Sequence, residues 1–189
     1  MRDHNIILIG PGAAGKSTLA PLLAARLDIP ALDLDKLRWG YMADIGYDDA
    51  RARRIRREQG FSALAAHWKP YDIHSVKRVL QDYPQGHVIA FGAGHSIYTG
   101  GYLKQAQQVL AGHTVILLLP TPDSDKNRVI FKRRLRASNP ELTEESVEEI
   151  SAENARYVDH LSNFALATMM HYTEGKSPAQ SADEIYAQL

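Results

Sequence analysis

The chain has 189 residues, enough for one domain with a sizeable core. Its 22 basic and 22 acidic residues cancel, the pI is about 7.1, and cysteine is absent. The balance gives no global field for nucleic acid or an anionic membrane, and the missing thiols exclude disulfides, thiolate nucleophiles and cysteine metal sites. No apolar stretch approaches the ~20 residues of a membrane-crossing helix. The opening Met1-Arg2-Asp3-His4 runs straight into a strand pattern with no room for a signal peptide, so cytoplasm is the expected location.

Residues 5–9 form a short, mostly β-branched apolar run that predicts a buried strand. Over 16–27 the pattern changes to helix, with Leu19, Leu22, Leu23 and Leu27 on one face. Between them Gly10-Pro11-Gly12-Ala13-Ala14-Gly15-Lys16-Ser17 fits G-x-x-x-x-G-K-[ST] without a mismatch. Small residues let successive N–H groups turn inward toward phosphate oxygens, and the helix N-terminus adds its unpaired donors and positive dipole end. Lys16 is placed for the outer phosphates, the Ser17 hydroxyl for magnesium, and Thr18 follows on the first turn.

A second strand is predicted over 31–34, ending in Asp33-Leu34-Asp35. Strand alternation would put both carboxylates on one side, roughly 6–7 Å apart. Facing the phosphate loop, one would hold magnesium through water and the other would accept a proton from a substrate hydroxyl. A solvated strand end or a helix N-cap is the alternative account of aspartates there, and their place about 20 residues after the phosphate loop favours the functional one. Helices are expected within 48–67 and over 73–83. Arg51, Arg53, Arg54, Arg56 and Arg57 in the first read as a solvated face, or as a site for an anionic acceptor.

The third strand, 87–91, runs into Gly92-Ala93-Gly94-His95, where glycines permit a close backbone approach to a small substrate. His95 is left without a role. A helix over 102–110 leads to a fourth strand at 114–119, and a basic helix follows over 123–136. Its run is either a solvated face or a lid whose arginines, Arg133 and Arg134 foremost, neutralise phosphate charge in a transition state. Asn139-Pro140-Glu141 breaks it before a helix over 144–161. A fifth strand over 167–172 meets Thr173-Glu174-Gly175-Lys176-Ser177-Pro178, which opens a last helix over 178–188. Short apolar strands alternating with helices predict an α/β fold, a parallel sheet covered on both faces with its ligands at the carboxyl edge.

The phosphate loop, the D-x-D after strand two, the glycine pair after strand three, the Arg-rich segment after strand four and the closing "YTEGKSPAQSADEI" together resemble shikimate kinase and its small P-loop kinase relatives, in order and over nearly the whole chain. The resemblance implies the three-layer α/β/α sandwich of the P-loop NTPases, with a five-stranded parallel sheet in the order 2-3-1-4-5, a lid over about 123–143 and an acceptor-binding helical region over about 36–85. It implies transfer of the γ-phosphate of MgATP to a hydroxyl. Lys16 would then contact phosphate, Gly10, Gly12, Ala13, Ala14, Gly15 and Thr18 would cradle it, and Ser17 and Asp33 would hold Mg2+. Asp35 would meet the acceptor hydroxyl, Gly92, Ala93 and Gly94 would border the acceptor, and Ser177 and Pro178 would contact adenine.

The acceptor end departs from the family. In place of its carboxylate-gripping F-R-x-x-E stands Trp68-Lys69-Pro70-Tyr71-Asp72, and lysine is a point charge where arginine is a bidentate fork. Counting back from Thr173 to the family's later arginine reaches His160, with Arg156 outside the pattern. Lys69 and His160 are therefore assigned to an acceptor pocket whose ligand is a small hydroxyl-bearing metabolite, with shikimate open but not favoured. The rival readings are a nucleoside or nucleotide kinase, using Trp39 or Trp68, and an ATP-dependent regulatory switch. A guanine-reading N-K-x-D is absent, the nearest string being Asp125-Lys126-Asn127-Arg128, so ATP is preferred. No nucleic-acid or membrane partner is expected, and the chain is taken as a monomer or homodimer.

Overall fold

The computed structural model describes residues 3–189, so Met1 and Arg2 of the opening stretch lie outside the described residues. Five parallel strands stand in the order β2-β3-β1-β4-β5: β1 Ile6–Ile9, β2 Ala31–Asp33, β3 Val88–Ala90, β4 Thr114–Leu119 and β5 Met169–Tyr172. Register pairs Ile6 with Val88 on one side and with Thr114 on the other, which centres β1. All four β1 residues are fully buried, each contributing about 1.5–3 kcal/mol from burial of its side chain.

The helices are α1 Lys16–Leu27, α2 Leu34–Ala43, α3 Asp49–Asp82, α4 Gly100–Leu110, α5 Ser124–Ser138, α6 Glu144–Val158, α7 Leu161–Leu166 and α8 Pro178–Tyr186, with a 3-10 turn at Ala93–Ser96. They cover both faces of the sheet. Leu19, Leu23 and Ala24 of α1 and Ala182 and Ile185 of α8 enter the core, as do Ile73, Val76 and Val79 of α3 and Ala106 of α4. Every βα loop opens at the carboxyl edge, as parallel pairing with right-handed crossovers requires.

Four features differ from the sequence expectation. The second strand ends at Asp33, whose side chain caps a helix by accepting from the Asp35 N–H at 3.0 Å. Asp35 therefore projects from the first turn of α2, and the strand-alternation reading of Asp33-Leu34-Asp35 is corrected. Pro70 does not divide the third helix; the break falls at Gly60, with φ 83° and ψ −178°, a conformation open in practice only to glycine. The helix expected over 144–161 ends at Val158, because His160 caps α7 through its ring nitrogen and the Ser162 N–H. The last strand is shorter than predicted and begins at Met169. No helix is long and apolar enough to cross a membrane among the described residues.

Candidate active site

The loop between β1 and α1 curls through Gly10 (φ 134°), Ala13 (φ 61°) and Gly15 (φ 98°). At Gly10 a side chain is impossible, since a Cβ would lie 2.6 Å from the Leu118 carbonyl oxygen. Lys16 folds back beneath the loop and donates to the Gly10 and Pro11 carbonyls, both at 2.8 Å. Burial pushes its ammonium down to about 8, while Asp35 and Asp33 pull the other way, so both carboxylates lie within its field. Across the loop, the amide of Asn154 in α6 accepts from the Gly12 N–H at 2.6 Å and donates to the Gly12 carbonyl at 3.0 Å.

Three cavities make up the site, two of them bordered by the loop. The first, of about 360 Å³, is lined by Ala13, Ala14, Gly15, Thr18, Arg134 and Pro178, among others. The Arg134 guanidinium sits 3.2 Å from Thr173 Oγ1 and 3.5 Å from the Ala13 carbonyl, and burial lowers its proton affinity. Arg133 points outward to Glu174 at 3.5 Å and is exposed. Ser177 caps α8 by accepting from the Gln180 N–H, and the reciprocal bond completes a capping box. The second cavity, of about 390 Å³, brings Ser17 and Asp33 together. A hydroxyl and a carboxylate with space between them fit magnesium, which keeps several waters and takes further oxygens from phosphate. No cluster of three or more His, Cys, Asp or Glu able to hold a metal occurs among the described residues.

The third cavity, of about 210 Å³, is lined by Asp35, Arg38, Phe61, Ala65, Trp68, Lys69, Asp72, Ala93, Gly94 and Tyr157. Lys69 Nζ donates to Asp72 Oδ2 at 3.2 Å and to the Gly94 carbonyl at 3.0 Å. Arg38 lies 3.5 Å from Asp35 and 3.6 Å from Asp72, its guanidinium over the rings of Trp39 and Trp68 at 4.9 and 4.7 Å from their centroids. Both cations are thus already matched by carboxylates. Gly92 backs the group: a Cβ there would fall 2.1 Å from Asp35 Oδ1 and 2.6 Å from His95 Nδ1.

The structure therefore gathers Asp35, Lys69, Ala93 and Gly94 around one space, with Gly92 behind them. It does not bring His160 there. That ring lines an adjoining cavity of about 270 Å³ with Lys69, Arg156 and Tyr157, and its proton affinity is lowered by burial, then by Lys69 and Arg156. Three residues of the cluster went unassigned in the sequence. Asp72 was visible as the last position of the Trp68–Asp72 string, Arg38 carried only its place one turn after Asp35, and His95 stood beside the glycine pair.

Strand order, phosphate loop and cavity placement define a P-loop kinase fold. A family model for shikimate kinase matches residues 12–189, and the chain belongs to that family. It resembles the shikimate kinase of Acinetobacter baumannii, solved in complex with shikimate (20% identity, 98% of this chain and 92% of that one, TM-score 0.65). It also resembles those of Bacteroides thetaiotaomicron (17%, 98% and 97%, 0.64) and Aquifex aeolicus (18%, 97% and 94%, 0.56). A search of curated proteins found no significant match. Family and fold make the chain a small-molecule kinase, a phosphotransferase.

Proposed function

We propose that this chain forms a single kinase domain over 1–189, transferring the γ-phosphate of MgATP to a hydroxyl of a compact metabolite. The observation that carries this is the position of Asp35, which borders the 210 Å³ cavity while lying within the field of the phosphate-loop lysine. ATP would lie along the Gly10–Ser17 loop with its base toward Thr18, Arg134, Ser177 and Pro178. Lys16 would steady the outer phosphates, and Arg133 and Arg134 would add positive charge from a lid over about 123–143. Magnesium, held by Ser17 and through water by Asp33, would neutralise charge on the transferring phosphoryl group. Asp35 would accept the proton of the attacking hydroxyl.

The acceptor would enter from the helical region over about 36–85. The cavity is smaller than the roughly 300–1,000 Å³ of drug-sized sites, which favours a compact metabolite over a nucleoside monophosphate. A carboxylate such as that of shikimate, the ligand of the Acinetobacter relative, would have to compete with Asp72 for both Lys69 and Arg38. A hydroxyl-rich acceptor without that demand is the better fit.

ADP release from MgATP, measured against shikimate, sugar acids, nucleosides, nucleoside monophosphates and amino alcohols, tests the reading. Strong stimulation by one acceptor is the expected outcome. Slow hydrolysis that no acceptor raises would turn the assignment toward a nucleotide-dependent switch.

A further inference from the structure

Among the described residues, the buried side-chain polar atoms without a hydrogen-bond partner include Arg38 Nε, Asp72 Oδ1, Tyr98 Oη and both ring nitrogens of His95. Arg38 and Asp72 line the Asp35 cavity and His95 stands between its two carboxylates, and orphaned buried groups concentrated in one place call for a functional explanation. His95 is the centre of it. The ring is fully buried, with Nδ1 3.8 Å from Asp35 Oδ1 and Nε2 3.7 Å from Asp72 Oδ1. Both gaps exceed hydrogen-bond length, and closing either by about 0.6 Å would make one.

The two carboxylates are not equivalent. Asp72 is buried and already faces Lys69 and Arg38, whereas Asp35 is half exposed, pairs with Arg38 and lies in the field of Lys16. Burial drives the imidazole toward its neutral form, and so do Arg38 and Lys69, against the pull of Asp72 and Asp35. A neutral ring has one proton to donate: Asp72 Oδ1 is the buried acceptor without a partner, and Asp35 is the carboxylate that borders the cavity and is free to be aimed, so the two destinations of that proton predict different variants. An uncharged donor can also aim a carboxylate without quenching its basicity as a second cation would. The missing Cβ of Gly92 lets ring and carboxylate approach each other.

We propose that His95 is a positioning residue for phosphoryl transfer, its Nδ1–H holding Asp35 Oδ1 so that the other carboxylate oxygen faces the acceptor hydroxyl. This rests on the kinase reading above. The 3-10 turn fixes the residue that carries the ring, the backbone N–H of His95 being tied to the Gly92 carbonyl at 3.0 Å.

Asparagine places a side-chain N–H near the position of His Nδ1, glutamine near that of Nε2, and leucine supplies neither. Steady-state transfer to the stimulating acceptor is therefore measured for His95→Leu, His95→Asn and His95→Gln, with the thermal midpoint and the KM for MgATP of each. The expected result is a kcat about 10–100-fold lower in the leucine variant, the size of effect seen when a ligand-orienting partner is removed from a metal site. The asparagine variant should recover most of that loss and the glutamine variant little, all with unchanged KM for MgATP. In an Asp35→Asn background, His95→Leu should cost nothing further.

Rescue by glutamine instead of asparagine, or losses that follow the thermal midpoint, would overturn the proposal in favour of a structural Asp72–His95 pair. If His95→Leu does not fold, the asparagine–glutamine comparison still decides. Wild-type transfer unaffected by all three changes overturns this inference alone. A wild type that phosphorylates no acceptor overturns the kinase reading and this inference together.

Discussion

At the scale of single residues, Gly92 separates a catalytic effect from a structural one. Its backbone, at φ −64° and ψ 157°, suits any residue, so alanine there acts only through what its Cβ displaces, namely Asp35 and His95. Gly92→Ala should lower kcat by about 10–100-fold, since a misplacement near 1 Å can cost that much, with MgATP affinity retained. Asp35→Asn should lower kcat by about 10²–10⁴-fold and spare MgATP binding. A loss confined to nucleotide affinity would move Asp35 into the metal shell. Lys16→Ala should reduce transfer by at least ~10² while the protein stays folded; wild-type turnover in that variant would remove the loop from the mechanism. Lys16 and Asp35 were legible because a motif and a strand end announce them. Arg38 and Asp72 were in view in the string but not assignable to Asp35, since the α2 helix and its packing against α3 bring them there.

At the scale of elements, the long helix α3 is two helices joined at Gly60. The first N–H beyond the break, that of Phe61, is accepted by Glu149 of α6 at 3.1 Å, and Arg56 from before the break grips the same carboxylate. One side chain of α6 thus ties together both halves of α3. Glu149→Gln should destabilise the fold by about 1–2 kcal/mol, read as a lower denaturant midpoint, because the charged acceptor is lost and the pair is partly exposed. Gly60→Ala should cost about 1–3 kcal/mol from backbone strain alone, since a Cβ there meets nothing within 4 Å. The sequence reading left 68–72 between two helices, where the helix in fact runs on through Pro70. The true break is a glycine whose conformation is imposed by the packing of α3 against α6.

At the scale of the whole molecule, the nucleotide should act as a folding ligand. The first cavity joins the phosphate loop to α5, α8 and the turn after β5, elements contributed from distant parts of the chain. MgATP at about 100 times its Kd should add ~2.7 kcal/mol and raise the thermal midpoint by about 5–10 °C for a chain of this size. The Lys16→Ala protein should show little of that shift. Chelating the divalent cation with EDTA should stop transfer, and restoring magnesium should recover it.

The sequence by itself determined the parallel sheet, its strand order through family resemblance, and the phosphate loop. The reason is physical: apolar runs of strand length and a glycine-rich turn before a helix are local signals, readable within about a dozen residues. Only the tertiary structure decided the inner wall of the acceptor site. It turned Asp33 into a helix cap and set Asp35 in the first turn of that helix, moved His160 to a neighbouring cavity, and brought Arg38 and Asp72 into the cavity wall with His95 against them. Those placements depend on how α2, α3 and the turn after β3 pack against one another, and partners 23 to 60 residues apart in the chain leave no periodicity in it.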